Sequence, residues 1–338
     1  MSNVNGTPHP SSRALPKRRR VLRWIGRGLA AAVGLAVVLG TAGAIYESSA
    51  GAADLQAYPP PGRMVGVGGH RLHIHCLGTG SPTVVIDAGW GGWSASWSSW
   101  VQPDVAKTTQ VCTYDRAGMG WSEPGPLPRT AEHFARELHI LLQRAGVEGP
   151  FVLVGHSMGG LTMRTFAHAY PADVAGVVLV DSMSPSQAKP AVPAAPPLAA
   201  APPSKLSILT LPARIGVLRL ISGSPAASGV SPAVANAYTA FSVTPRSVQT
   251  TLDEGMGLPE SFARAGAITS LGAVPLIVLS RGLDREADWD RWQTELLDLS
   301  SNSRQLIADT SGHNVELDQP AAAVAAIVQI VEQVRSGS

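Results

Sequence analysis

The chain has 338 residues, 45% of them hydrophobic, which suits one large domain or two small ones and excludes a wholly disordered polypeptide. Its net charge of +2 joins two unlike parts: Arg13, Lys17, Arg18, Arg19, Arg20, Arg23 and Arg27 all precede the first acidic residue, Glu47, and without those seven cations the rest carries −5. A mildly acidic folded part argues against nucleic acid as a partner.

Residues 1–27 read as a basic cytoplasmic tail, and 28–46, GLAAAVGLAVVLGTAGAIY, as a transmembrane or signal segment. The segment is uncharged and as a helix would extend about 28 Å, close to the hydrocarbon thickness of a bilayer. The cations before it keep the N-terminus in the cytoplasm and send the remainder of the chain across. Two outcomes stay open. Either the segment is retained as an anchor, with the rest of the chain extracytoplasmic, or it is cleaved at a small-x-small site such as AGA at 42–44 or 50–52 and the rest is secreted. KRRRVLR also resembles a twin-arginine export signal.

Residues 47–63 form a linker that closes on YPPPGR. The stretch MVGVGGHRLHIHCLG then predicts a hairpin with a Gly-Gly turn, Leu72, Ile74 and Cys76 alternating with solvent-facing His73 and His75. Strands are expected at 83–89, 109–118, 150–157 and 174–182. Trp90, Trp93, Trp97 and Trp100 recur at helical spacing within an arc of roughly 80°, so the last three are expected on one buried helix face. TAEHFARELHILLQRAG carries a Thr start, a closing Gly and Phe134, Leu138, Leu141, Leu142 and Ala145 on one face, the marks of an amphipathic helix. Continuous apolar runs such as FVLV and VVLV suit strands covered on both sides, so the alternation of strand and helix predicts a parallel, doubly covered sheet.

The pattern breaks over 183–272. That region holds 12 of the 27 prolines and reads as an inserted Pro/Ala-rich cap with short helical pieces such as VANAYTAF and a linker, AKPAVPAAPPLAAAPPSK. The core, 64–182, resumes over 273–335 with strands at 274–280 and 304–310 and a last helix opened by Pro320. Cys76 and Cys112 are the only cysteines; an oxidising compartment permits a bridge between them, which spacing alone does not decide.

VLVGHSMGG at 152–160 sets Ser157 between an apolar strand and a helical run, with Gly155, Gly159 and Gly160 around it. A turn this sharp needs small neighbours, lifts the hydroxyl clear of the sheet and aims it at a helix N-terminus. Here, and in YDRAGMGWS at 114–122, the chain resembles the α/β-hydrolase fold superfamily, in particular its serine esterases and lipases with GHSMGG-type elbows. The resemblance covers 64–334. It implies a mostly parallel eight-stranded sheet with helices on both faces, Ser157 after the fifth strand, and order Ser, acid, His along the chain.

A serine hydroxyl needs a base within hydrogen-bond reach and a group orienting that base. The resemblance assigns the base to His313 in DTSGHNVELDQP and the acid to Asp284 in SRGLDREADWD, with Asp181 at the end of the sixth strand as the alternative. His156 is expected to be structural, and His133, His139 and His168 to lie at the surface. By the same resemblance AGWGG stands where H-G-x-G loops stand: Trp90 N–H and Met158 N–H would form the oxyanion hole, with the Trp90 indole walling the acyl pocket. The second and fourth strands of that fold are neighbours, which implies a Cys76–Cys112 disulfide.

The expected activity is that of a serine hydrolase cleaving carboxylic esters through an acyl-enzyme, without metal or organic cofactor, on a small-molecule ester. Epoxide hydrolysis and dehalogenation on this fold use an aspartate nucleophile, which Ser157 argues against. The rival readings are an acyltransferase or perhydrolase working through the same acyl-enzyme, and a non-catalytic module that holds a lipid or peptide.

Overall fold

The structure, a computed structural model, describes residues 17–188, 208–222 and 232–337. It opens with one long helix, α1 (Lys17–Ala57), followed by β1 (Arg63–Gly66), β2 (Arg71–Leu77), β3 (Thr83–Asp87), α2 (Ala95–Ser98), α3 (Val101–Val105) and β4 (Val111–Tyr114). Then come α4 (Ala131–Ala145), β5 (Phe151–His156), α5 (Met158–Ala169) and β6 (Val174–Val180). Between β6 and the next strand lie α6 (Leu211–Arg214), α7 (Val217–Ile221), α8 (Pro232–Ser242) and α9 (Pro245–Ala267). The chain ends in β7 (Leu276–Arg281), α10 (Trp289–Glu295), β8 (Ser303–Ala308), α11 (Val315–Asp318) and α12 (Pro320–Ser336).

The eight strands form one sheet in the order β1-β2-β4-β3-β5-β6-β7-β8, antiparallel at β1, β2 and β4 and parallel from β4 to β8. Parallel strands buried on both faces send alternate residues into two separate cores. Val85, Leu153, Val177, Leu179 and Val278 pack with Leu138 and Leu142 of α4 and Phe166 of α5. Val84, Ile86, Val152, Val154, Val178 and Ile277 pack with Val101 and Val105 of α3 and Ile327 and Ile330 of α12. The amphipathic α4 has the expected ends: the Thr130 hydroxyl accepts from the His133 N–H, and Gly146 closes it in the left-handed conformation at φ 62°.

Cys76 and Cys112 sit directly opposite each other on β2 and β4 and are joined by a disulfide. The first strands differ from expectation in one respect. His73 does not face solvent; it is buried, its Nδ1–H donating to Asp115 Oδ2 at 3.0 Å while Nε2 accepts from the Gly62 N–H. Helices and loops cover both faces of β2, so period-two alternation does not separate inside from outside there. His133 is likewise buried, against Glu137 at 3.0 Å; His139 is half-buried and His168 exposed.

The four tryptophans do not share a helix face. Trp97 is buried in the core, and Trp93 joins Trp121, Phe241 and Tyr238 in an aromatic cluster between the sheet's loops and α8. Trp100 is 41% exposed, because α2 ends at Ser98 and a turn separates it from α3. The insertion also departs from a set of short pieces: α9 is a continuous helix of 23 residues. Its Gly255, Gly257 and Pro259 mask the helical pattern in the sequence, yet Gly257 is pressed against the Arg129 carbonyl, where a Cβ would collide. The Ala/Pro-rich linker lies, from residue 189 on, outside the described residues.

Candidate active site

Ser157 occupies the turn between β5 and α5 with φ 52° and ψ −119°. Non-glycine residues pay for such a conformation, and it persists here because the turn is packed from every side. A Cβ on Gly159 would come within 2.7 Å of the Asp87 and Ala88 carbonyls, and one on Gly155 within 2.6 Å of the Gly159 carbonyl. Glycine at both positions is therefore a condition of the turn.

The His313 imidazole bridges two side chains from distant parts of the chain. Its Nε2 is 3.0 Å from Ser157 Oγ, and its Nδ1 is 2.6 Å from Asp181 Oδ2. A carboxylate only accepts, so Nδ1 carries the proton and Nε2 presents its lone pair to the serine hydroxyl. Asp181 is fully buried one residue past β6, at φ 39°; its Oδ1 accepts from the Arg281 N–H at 3.0 Å, and the Arg281 guanidinium stands 3.7 Å from Oδ2.

Asp284, the expected partner of His313, is not there. It sits at φ 51° on the exposed loop after β7, near Gly312 but on the outer side of the His313 loop, and no hydrogen bond joins it to His313 among the described residues. The structure instead brings together Ser157, His313 and the alternative acid, Asp181. Because β6 and β7 are adjacent, an acid after either strand starts close to the histidine, and the turn each takes decides which side chain reaches it.

Beside Ser157, the His156 Nε2–H donates to the His313 carbonyl at 2.8 Å and so holds the loop that carries the imidazole. Burial, together with the neighbouring His313, lowers the His156 pKa to about 4, so its ring is neutral. Its free Nδ1 faces Glu316 Oε1 at 3.6 Å, and burial raises the Glu316 carboxyl to about 8. Glu316 Oε2 has no partner among the described residues.

The loop after β3 presses on the serine: a Cβ on Gly89 would lie 3.2 Å from Ser157 Cβ. With Ala88 in place of a histidine, its anchor is Arg116 of the DRAG stretch. The buried guanidinium donates to the Ala88 carbonyl at 2.8 Å, the Gly89 carbonyl at 2.6 Å and Asp87 at 2.6 Å, and through Nε to Glu254 of α9 at 2.7 Å. Burial alone would lower the Arg116 pKa; Glu254 and Asp87 outweigh it and raise the value. Glu254 also accepts from the Gly91 N–H at 3.0 Å, and the Trp90 indole donates to the Thr251 carbonyl at 2.7 Å. One helix of the insertion thus grips the loop at three points. The DRAG motif was visible in the sequence; that its arginine serves this loop, and that Glu254 and Glu316 belong to the site, carried no sequence signal.

A cavity of about 560 Å³ opens over Ser157 and His313, walled by Trp90, Met183, Val234 and Tyr238 and closed below by His156 and Glu316. Among the described residues no group of three or more His, Cys, Asp or Glu is placed to hold a metal ion.

Residues 82–212 match the family model described as the alpha/beta hydrolase fold. The uncharacterized protein YqjL of Bacillus subtilis is 27% identical over 73% of this chain and 82% of its own length; another curated relative matches with only 18% of its length. Among solved structures, the epoxide hydrolase CorEH superposes with a TM-score of 0.63 at 19% identity, over 81% of this chain and 99% of that one. A thermophilic esterase from Thermogutta terrifontis superposes at 0.59 with 22% identity, over 78% and 94%. Strand order, the glycine-bound elbow at Ser157 and these matches show that the chain has the α/β-hydrolase fold.

Proposed function

We propose that the protein is a serine hydrolase that cleaves carboxylic esters through an acyl-enzyme, with Ser157 as nucleophile, His313 as base and Asp181 as the orienting acid. The observation that carries this reading is the imidazole held between Ser157 Oγ at 3.0 Å and a buried carboxylate at 2.6 Å. Ser157 Oγ attacks the ester carbonyl as His313 Nε2 takes its proton, and Asp181 stabilises the imidazolium that forms. The Trp90 and Met158 N–H groups hold the oxyanion; Met158 opens α5, where an N–H has no intrahelical acceptor. His313 then returns the proton to the leaving alcohol, and water repeats the sequence to release the acid. The mainly apolar wall of the cavity suits an acyl group of small to medium size.

The test is fluorophosphonate labelling of the full-length protein in detergent, alongside hydrolysis of p-nitrophenyl esters of increasing chain length. Labelling and turnover are expected to vanish in Ser157→Ala and His313→Ala. Asp181→Asn should lower kcat by roughly 10⁴-fold, the cost of losing the correct tautomer, and Asp284→Asn should leave it within a few-fold. A folded wild type that neither labels nor turns over any ester would instead point to a binding module. Transfer of the acyl group to an added alcohol in preference to water would point to an acyltransferase.

We read α1 as a retained membrane anchor with the hydrolase fold on the far side. Two features support this: its uncharged run from Gly28 to Tyr46 comes after a basic cluster, and the helix is otherwise exposed along that run.

A further inference from the structure

Beyond Tyr46, α1 does not become the loose linker that its sequence suggested. It stays helical to Ala57 and is ion-paired to the insertion: Glu47 and Asp54 receive the Arg219 guanidinium of α7 at 2.8 and 2.6 Å. One turn earlier the contact is closer and involves no charged group. A Cβ on Gly43 would collide with the Ile215 carbonyl, and one on Gly216 would stand 3.0 Å from the Tyr46 ring. The insertion therefore rests on the last turn of the uncharged segment as well as on the charged turns beyond it.

That placement sets a depth. At 1.5 Å per residue Gly43 lies about 6 Å inside the level of Glu47, and a run from Gly28 to Tyr46 about matches the hydrocarbon thickness. A segment packed on Gly43 and Tyr46 must then meet the border between acyl chains and headgroups. The side chains it presents there suit that border. Ile208 is 80% exposed, Leu220 and Ile221 are each 72% exposed, and Leu211 is 46% exposed. All four lie within residues 208–221, on either side of the Ile215–Gly216 contact with α1, and large aliphatic side chains so exposed are costly in water. The change from uncharged to ionic contact along α1 falls at Glu47, where its sequence also changes from uncharged to charged.

We propose that this edge of the insertion, formed by Ile208, Leu211, Leu220 and Ile221, is seated in the bilayer border beside α1, so that the protein meets the membrane through its insertion as well as through its anchor. The proposal rests on α1 being a retained span. It does not depend on the reaction.

The test uses full-length protein reconstituted into phosphatidylcholine nanodiscs. Cys76 and Cys112 are bridged and no free cysteine is present, so an introduced cysteine is the only thiol open to an environment-sensitive fluorophore. Labels go on Leu220→Cys and Ile208→Cys, on Leu35→Cys within the span, and on Ser301→Cys in the exposed turn before β8, at the end of the parallel strands opposite the one that carries Ser157. With lipids carrying a nitroxide just below the headgroup the labels at 208 and 220, and with lipids carrying it near the chain end the label at 35, should lose most of their emission, and the label at 301 none with either; those at 208 and 220 should also be shielded from aqueous iodide. If 208 and 220 keep their emission while 35 is quenched, the anchor stands and the seat is overturned, and shielding from iodide without lipid quenching would mean that protein covers this edge. If 35 is unquenched as well, the retained-span reading fails and takes the seat with it.

Discussion

His156 and Glu316 show how hydrogen-bond direction assigns protons beside Ser157. Among the described residues the acceptor at His156 Nε2 is a carbonyl, so Nε2 is protonated and Nδ1 turns a lone pair toward Glu316 Oε1 at 3.6 Å, which suits a neutral carboxyl better than a carboxylate. Burial agrees, raising Glu316 to about 8. For a group whose pKa is higher in the folded than in the unfolded state, the stabilising contribution is complete below the unfolded value, ordinarily 4.5, and is lost as pH rises through the folded one. His156 has the opposite sign: depressed to about 4 from an ordinary 6.5, it costs stability as pH falls through that interval. Comparing wild type with Glu316→Gln cancels the histidine. The stability difference between them, read by denaturant unfolding, should shrink steadily from pH 5 to pH 8, by at most about 1.4 kcal/mol per pH unit. A difference independent of pH would mean that Glu316 is ionised throughout.

At the scale of elements, α9 and the loop after β3 behave as one unit. Arg116 lies in the sheet's own loops and Glu254 on the insertion, and both are buried, so removing the carboxylate leaves the cation with one carboxylate partner, Asp87, and takes away its charged hydrogen bonds to Glu254. Glu254→Ala should cost about 1.5–3 kcal/mol of stability, measured by urea unfolding. Catalysis should suffer in a particular way, because oxyanion donors act on the transition state more than on bound substrate. Glu254→Gln, which keeps the shape and folds more readily, should lower kcat by roughly 10–100-fold with KM little changed, as expected for donors displaced by a fraction of an ångström. An equal rise in KM with unchanged kcat would show that Glu254 shapes the cavity and not the loop.

Across the whole molecule, the Cys76–Cys112 bridge ties the antiparallel β2 to the first strand of the parallel sheet and closes a loop of 36 residues. Chain-entropy reasoning assigns such a loop about 4 kcal/mol. The Cys76→Ser, Cys112→Ser double variant should therefore unfold at a lower temperature, by on the order of 10 °C in a calorimetric scan. Esterase activity below that temperature should be unaffected, since both cysteines lie away from the cavity. A variant as stable as wild type would mean that packing between β2 and β4 alone holds this end of the sheet.

Local pattern was enough wherever one stretch of chain determines its own environment. The apolar runs are strands, Thr130 and Gly146 end α4, Pro320 opens α12, and VLVGHSMGG is a turn whose glycines admit nothing larger. The position of His313, between the last strand and the last helix, was legible too, because it is a feature of chain order. What the sequence left open depends on residues far apart in it. Asp181 and Asp284 each come after a strand, each at positive φ, and only the packing of β6 beside β7 turns one inward under His313 and leaves the other in solvent. Arg116 and Glu254 are 138 residues apart, and no spacing rule joins them; their contact exists because α9 crosses the loop after β3. The tryptophans at 90, 93, 97 and 100 kept helical spacing without one helix face to share, since partners in α9, α8 and the core claimed the first three one by one and Trp100 was left 41% exposed. Periodicity reports a single buried face, and around this site the chain is buried on several.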